Sequence, residues 1–405
     1  MNSRRRVVVT GVGVVSSIGR DRTTFWNSLA AGRQGLFPVD PPNPDLGFTR
    51  VAAVRDFDPD VCFESRVHQG LDRGVQFALV AAGEAIADSG LVFDESLRAR
   101  SGVITGSGIG GSHIIDAAYE RLYRHGKRRT SPMTVPNIMP SSGASHISMV
   151  HGLQGPAFSV SSACASSAHA IGIALTLLRE GSAEVLVAGG HEAQLNHGSL
   201  YAWDALRVVS PTSCRPFSRG RDGMILGEGA ALLVLETLDH AFARGARIYA
   251  EVAGFGMTAD ASHLTAPSIE GPAAAMHLAL NDAGLGAEAI DYLNAHGTGT
   301  ESNDRNEARA IGLVFGDHTR TLRVGSTKSM HGHTLGAAGA VEAVATVLAM
   351  SHGVVPPTPG ADPPDPDIDL YVVENRGEPL EIRAAMSNSF AFGGLNAVLV
   401  FRQRP

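Results

Sequence analysis

Cysteine is scarce in this chain: 405 residues hold three, Cys62, Cys164 and Cys214. So few, so widely spaced and odd in number, they make no disulfide framework and point to a reducing compartment. Positive charge is not in excess either. Thirty-three Lys and Arg against 40 Asp and Glu give a formal charge of −7, which argues against nucleic acid as a partner. No run approaches the ~18 consecutive apolar residues of a membrane span. Arg4-Arg5-Arg6 and the apolar stretch after it have the outline of a signal peptide. That stretch is β-branched, broken by Gly and closed by no small-x-small site, so it reads as a first buried strand. Low-complexity segments and short repeats are absent. The expectation is a cytoplasmic protein without membrane or nucleic-acid partners.

What is abundant is glycine, 47 residues against a usual ~7%, together with 44% apolar and 18% charged residues. This is the composition of a large-cored globular protein with many close backbone approaches. Short apolar strand candidates lie near Arg6–Val15, Gly102–Thr105, Ala157–Ser161, Val185–Ala188, Ala231–Leu235, Ala250–Gly254, Tyr292–Ala295, Arg323–Gly325, Arg383–Met386 and Ala397–Phe401. Helices are expected near Gly74–Ser89, Ile114–Tyr123, Ala165–Arg179, Pro272–Asp282, Asn306–Val314 and Ala337–Ser351. That alternation predicts an α/β protein with helices covering sheets. The prolines from Pro356 to Pro366 read as an ordered surface crossing. Arg247–Gly256 resembles the opening strand, which suggests two related halves, residues 1–246 and 247–405.

Cys164 stands between a strand and a helix that is apolar almost all round, within Ser161-Ser162-Ala163-Cys164-Ala165-Ser166-Ser167. A helix apolar on every face is a buried one. At its N-terminus, free N–H groups and the helix dipole favour a thiolate. Moving a thiol from about 8.5 to about 7 takes roughly 2 kcal/mol from its surroundings, and the same N–H groups suit an oxyanion. The competing reading is a buried, inert cysteine. Two histidine segments, HGTGT at 296–300 and KSMHGHTLGAAGAVE at 328–342, each place His beside Gly and Thr at the end of an element. His331 and His333 with His296, Asp304 or Glu307 would be a metal set by residue type. No zinc-like spacing appears, however, and Lys328 adds an adjacent positive charge. Gly106-Ser107-Gly108-Ile109-Gly110-Gly111 fits GxGxxG, yet Lys127 and its basic neighbours stand where a dinucleotide site places an acid. Neither a metal nor a cofactor is expected. The basic run Lys127-Arg128-Arg129 reads as a solvated face.

These segments resemble the β-ketoacyl-acyl-carrier-protein synthase family, nearest its type II elongating branch. The resemblance runs the length of the chain: VVVTGVGVVSSIG at 7–19, GSGIGG at 106–111, RRTSP at 128–132, RPF at 215–217, RDG at 221–223, GEGA at 227–230 and SNSFAFGG at 387–394 follow in family order. It implies a thiolase fold, two related halves in a five-layer αβαβα sandwich, usually as a homodimer or paired with a chain-length-factor-like subunit. It also implies acyl- and malonyl-loaded acyl carrier protein as partner, and a decarboxylative Claisen condensation needing no cofactor. Carried over, Cys164 is the acyl-accepting nucleophile, and His296 and His333 promote decarboxylation and stabilise the enolate. Lys328 sets the histidine environment, with Glu342 as its partner. Asp304 and Glu307 match supporting positions. The N–H groups of Cys164 and Phe392 match the oxyanion hole, Phe392 matches the gate of the acyl pocket, and Thr298, Thr300 and Thr265 match pantetheine contacts.

The chain departs from the family pattern at Leu395 (usually Thr), Ala391 (usually Gly) and Met224 (usually aromatic). The loop from Arg207 to Arg215 looks shortened, and few basic residues lie between Arg66 and Arg73. These departures point to a specialised synthase, of the polyene or nodulation-factor kind. Two other readings compete. A non-elongating partner subunit typically lacks the cysteine, and a coenzyme A-dependent thiolase carries a second cysteine near the C-terminus, where this chain has none after Cys214.

Overall fold

The structure, a computed structural model, describes residues 4–403. Ten strands build its central sheet: β1 (Val7–Val15), β2 (Ser101–Gly106), β3 (Ala157–Val160), β4 (Val185–Glu192), β5 (Gly229–Thr237), β6 (Ala250–Ala259), β7 (Tyr292–Asn294), β8 (Arg323–Gly325), β9 (Ala384–Ala391) and β10 (Leu395–Gln403). Eight helices frame the description that follows: α1 (Arg73–Ser89), α2 (Ser112–Tyr123), α3 (Ser142–His151), α4 (Ser166–Glu180), α5 (His197–Ala205), α6 (Glu270–Ala283), α7 (Glu301–Phe315) and α8 (Ala338–His352).

The strands lie in the order β8-β7-β9-β10-β6-β1-β5-β4-β2-β3. Read inward from either edge, the third, second, fourth, fifth and first strands of a five-strand set follow one another. Within each set the outer three strands run parallel, and the inner two are antiparallel to their neighbours. The sets meet only where Val8 and Val9 of β1 pair with Glu251 and Ala250 of β6. Helices α1 and α3 cover one outer face, and α6 with α7 the other; α4 and α8 pack on each other between the two halves of the sheet. The result is the five-layer αβαβα sandwich of the thiolase fold.

Local chemistry explains the elements. All nine residues of β1 are buried, so its β-branched run has no polar face to alternate with. Gly11 and Gly13 let α1 cross at backbone contact: a Cβ there would sit 2.0 Å from Ala85 O and 1.9 Å from Ala81 O. Helix α1 starts at Asp72, whose carboxylate accepts Gly74 N–H, and stops at Gly90 in the left-handed region, as capping chemistry predicts. Strand β4 runs four residues past its expected end. Gly189 and Gly190 are poor strand formers, but residues 189–192 keep pairing with Gly229–Leu232. Helix α7 begins at Glu301, before Asn306, because the polar turn 301–305 aims Asp304 inward, where it is fully buried. Among the described residues, Leu335–His352 is long and apolar enough on average to cross a membrane. That window is 89% buried inside the protein, as the core helix of the middle layer.

Candidate active site

Strand β3 delivers the chain into a tight turn, Ala163–Ala165, that carries Cys164 to the tip of α4. Ala163 sits at φ +48°, a strained conformation for a residue with a side chain. Ser166 holds the turn: its hydroxyl donates to Ala163 O (2.7 Å) and accepts Ser162 N–H (2.9 Å). Strand β2 can pass beneath because Gly106 has no Cβ to meet the Ser166 backbone, 2.3 Å away.

Cys164 shares a cavity of about 120 Å³ with His296, His333, Phe392, Thr298, Thr300, Thr265 and Met224. The imidazoles of His296 and His333 meet edge to face, centroids 5.4 Å apart. Their hydrogen bonds fix the tautomers. Leu335 N–H donates to Nδ1 of His333 at 3.3 Å, and Lys328 Nζ faces Nδ1 of His296 at 3.4 Å. With each Nδ1 occupied as an acceptor, each neutral ring carries its proton on Nε2. Burial and the Lys328 charge hold both rings well below the usual histidine range, so they are neutral donors.

Lys328 is fully buried. It pairs with Glu342, itself fully buried on α8, and donates to the carbonyl of His296 at 2.6 Å. Burial pushes Glu342 up to about 7 against the pull of that ammonium. Glu307 accepts His296 N–H (2.8 Å) and Gly297 N–H (2.7 Å), and Asp304 accepts Phe217 N–H (2.9 Å) and Gly299 N–H (3.2 Å). Both carboxylates are spent on backbone N–H groups of the HGTGT turn and, for Asp304, of Phe217, and neither is part of the cavity wall. His331 is committed too: Nδ1 donates to Gly332 O (2.8 Å), and Nε2 bonds the Thr327 hydroxyl (2.9 Å). Among the described residues no three His, Cys, Asp or Glu gather as a metal-holding group. The glycine-rich loop at 106–111 clasps a carboxylate of this chain: Gly108 N–H and Ile109 N–H donate to Glu192.

One expectation fails. The helix tip does not bring Cys164 near neutrality. Complete burial pushes the thiol up to about 12, with Lys328 and the Phe392 N–H opposing it and the Glu192 charge adding to it. Desolvating an anion outweighs a half-charge at a helix end. The resting sulfur is a thiol, and its proton must leave as the substrate arrives. Cys214 is also buried, its thiol on Thr298 O at 3.4 Å, while Cys62 is exposed.

Trp203, on α5, belongs to no motif of the sequence. It lines the cavity, and its indole stacks on Phe392 with centroids 6.3 Å apart and planes at 26°. Its one signal in the sequence is scarcity: it is one of two tryptophans in a chain with 6% aromatics.

The chain matches the family described as Beta-ketoacyl synthase, N-terminal domain, over residues 4–241, and Beta-ketoacyl synthase, C-terminal domain, over residues 249–362. Nodulation protein E of Rhizobium sp. (strain N33) is 46% identical over 400 residues, 98% of this chain and 99% of that protein. A 3-oxoacyl-[acyl-carrier-protein] synthase 2 of Staphylococcus aureus (strain COL) is 41% identical over 411 residues, 100% of this chain and 99% of that protein. Among solved structures, the ishigamide ketosynthase/chain length factor superposes with a TM-score of 0.94 at 37% identity, covering 100% of both chains. A β-ketoacyl synthase from Burkholderia phymatum STM815 superposes at 0.91 and 36%, covering 99% of this chain and 100% of that one.

Proposed function

This chain belongs to the β-ketoacyl synthase family, and on that footing we propose that its cavity joins an acyl group held on Cys164 to malonyl-acyl carrier protein by decarboxylative Claisen condensation. One observation carries the assignment of roles: the sulfur and two neutral Nε2–H donors line one cavity. In the first half-reaction the Cys164 sulfur attacks the carrier thioester. Its proton passes to the departing pantetheine sulfur, and acyl-Cys164 forms. In the second, malonyl-carrier protein loses CO2. The electron pair left behind forms an enolate whose thioester oxygen accepts hydrogen bonds from His296 and His333. The enolate carbon then attacks acyl-Cys164. The Cys164 and Phe392 N–H groups stabilise the tetrahedral oxyanion, and the thiolate leaves to give 3-oxoacyl-carrier protein. Thr298, Thr300 and Thr265 line the cavity, and the pantetheine arm would lie along them. Residues 1–246 supply the nucleophile and residues 247–405 the donors, a division the repeated strand order supports.

Removing one such donor costs about 10²–10³ in rate. His333→Ala is therefore expected to lower CO2 release from malonyl-carrier protein by that factor while Cys164 still becomes acylated. Release at the wild-type rate would remove His333 from the decarboxylation. A wild-type protein that formed no 3-oxoacyl product from carrier thioesters would overturn the whole assignment.

The pathway is better matched by specialised chain building than by housekeeping synthesis. The nodulation proteins stand at 45–47% identity against 41% for the Staphylococcus synthases, and Met224 occupies the cavity wall. A product spectrum confined to ordinary saturated chains would reverse that reading.

The working unit is a dimer through β3. This edge strand has an open side, exposes Phe158, and is flanked by α3 with exposed Met149 and Val150. An exposed apolar edge strand pairs with another chain unless something covers it. We take the partner to be a second copy, with a chain-length-factor-like subunit as the alternative. Phe158→Asp is expected to convert a dimeric wild type to monomer by light scattering. An unchanged mass would move the contact elsewhere, and a monomeric wild type that dimerises only with a second synthase would favour the alternative.

A further inference from the structure

Two residues beside the reacting groups hold a backbone conformation that side chains resist. Ala163, next to Cys164, sits at φ +48°, and Leu335, two residues after His333, at φ +53°. Leu335 matters to the imidazole, because its N–H is the donor that occupies Nδ1 of His333. Strain of this kind persists only where the surroundings over-determine it. The two strained turns come from different halves of the chain, yet both meet the glycine-rich loop at 106–111. Ala163 O lies 3.9 Å from where a Cβ on Gly108 would stand, and a Cβ on Gly336 would stand 2.4 Å from Gly108 N.

On the nucleophile's side, Ser107 N–H donates to Val160 O (3.2 Å) and the Ser161 hydroxyl donates to Gly108 O (3.1 Å), so the loop is tied to the chain just ahead of Cys164. On the histidine's side, the Leu335–Ala337 turn rests on the loop and on Glu192 together: the same Cβ on Gly336 would stand 2.3 Å from Oε2 of Glu192. Glu192 is the last residue of β4 and is wholly buried. Its carboxylate accepts Gly108 N–H, Ile109 N–H (3.4 Å) and the Ser107 hydroxyl (3.4 Å), and the Gln194 carboxamide hydrogen-bonds it as well. Moving such a group would strand several donors in a dry interior, so it stays where it is. Its charge also reaches the sulfur of Cys164, where it opposes ionisation.

We propose that Glu192 is a positioning residue for both half-reactions: its carboxylate holds the glycine-rich loop between the Cys164 turn and the Leu335–Ala337 turn, and so fixes the sulfur and the N–H that orients His333. This deepens, and rests on, the reading of Cys164 as the acyl acceptor and His333 as an enolate donor. Glu192 is not part of the cavity wall, so it acts through these two turns and through its field. The titratable groups around it are Asp72, ahead of α1, and Cys164; the glycine-rich loop and the Leu335–Ala337 turn carry none. His191, next to it on β4, points the other way, against Gly74 and Gly143. Burial, with the Asp72 charge adding to it, pushes Glu192 up to about 7. Its charge is therefore present above that pH and is lost as pH falls below it.

Two substitutions separate reach from charge. Glu192→Gln keeps the length, loses the charge and leaves a loop donor without its acceptor; Glu192→Asp keeps the charge but is one methylene short. Both are expected to lower acylation of Cys164 by acyl-carrier protein and CO2 release from malonyl-carrier protein together, by roughly tenfold to a hundredfold, the scale of misplaced reacting groups. The fall is expected in kcat more than in KM, because the cavity wall is unchanged. A pH profile supplies the readout that loosening alone would not move. Alkylation by iodoacetamide, followed at the Cys164 peptide by mass spectrometry, reports the thiolate. The rate in Glu192→Gln relative to wild type is expected to rise from pH 6, where Glu192 is largely protonated, to pH 8.5, where it is charged. The same ratio for Glu192→Asp is expected to stay flat, because a carboxylate remains. Either half-reaction within twofold of wild type in folded Glu192→Gln overturns the proposal, and so does a glutamine ratio that does not change with pH. If the glutamine variant does not fold, either half-reaction within twofold of wild type in folded Glu192→Asp overturns it. A wild type that forms no acyl-Cys164 and releases no CO2 would instead overturn the underlying assignment, so the two failures are distinct.

Discussion

Cys164→Ala is expected to abolish the acyl-enzyme and lower elongation on the order of 10⁴-fold or more, the scale of losing a covalent nucleophile, while the fold survives. The sulfur is small, its neighbours Ala163, Ala165 and Ser166 are small, and the turn is held by Ser166 hydroxyl bonds that do not involve it. Decarboxylation is expected to continue, because the enolate oxygen is served by His296 and His333 and no bond to sulfur forms in that step. Intact-mass measurement after incubation with acyl-carrier protein reads the first outcome, and CO2 release from malonyl-carrier protein the second. Acyl groups found on Cys62 or Cys214 in the wild type would refute the nucleophile. Cys214 is poorly placed to take one, with its thiol sealed against Thr298 O.

The legible parts of this molecule are those set by neighbours in sequence. β-branched runs such as Val7–Val15 become buried strands, the Asp72 and Gly90 boundaries follow from capping, and the HGTGT and SNSFAFGG segments announce turns that a substrate can approach. The illegible parts depend on what the fold brings together. Two histidines two residues apart look equivalent on the page. The structure spends His331 on Gly332 and Thr327 and leaves His333 in the cavity wall, because Gly332 at φ +68° turns the chain between them. The glycine-rich loop has the outline of a phosphate cradle until Glu192, more than 80 residues away, fills it. The thiol's resistance to ionisation is hidden for the same reason: a helix tip is visible in sequence, but the depth of burial is not. Trp203 is illegible because its contact with Phe392 joins distant parts of the chain, and because the His and Gly around it do not announce a helix.

The Lys328–Glu342 pair carries the other large effect. Both groups are fully buried, and removing one member of a buried ion pair typically costs about 3–5 kcal/mol because the survivor keeps its charge without a partner. The two single losses are not equivalent. In Lys328→Met the surviving Glu342, already pushed up to about 7 by burial, loses the ammonium that opposed that rise and takes up a proton. In Glu342→Leu the surviving ammonium keeps only His296 O and Nδ1, so this variant is expected to be the less stable at neutral pH. The first case carries a pH signature. A carboxyl whose folded pKa is raised binds more protons folded than unfolded, so its contribution is full below the unfolded value of about 4.5 and is lost as pH rises through the folded value, at up to about 1.4 kcal/mol per pH unit. The deficit of Lys328→Met relative to wild type is therefore expected to widen between pH 5 and pH 8 in thermal or denaturant unfolding, and equal deficits at both would contradict a protonated Glu342. Replacing both residues with apolar ones, Lys328→Met with Glu342→Leu, is expected to recover most of the stability, since nothing charged is then left buried. It is not expected to recover CO2 release, because Lys328 also fixes the acceptor side of His296 and thereby the proton on Nε2. A stable double variant that decarboxylates like the wild type would show that the pair holds the helix and does nothing for the ring.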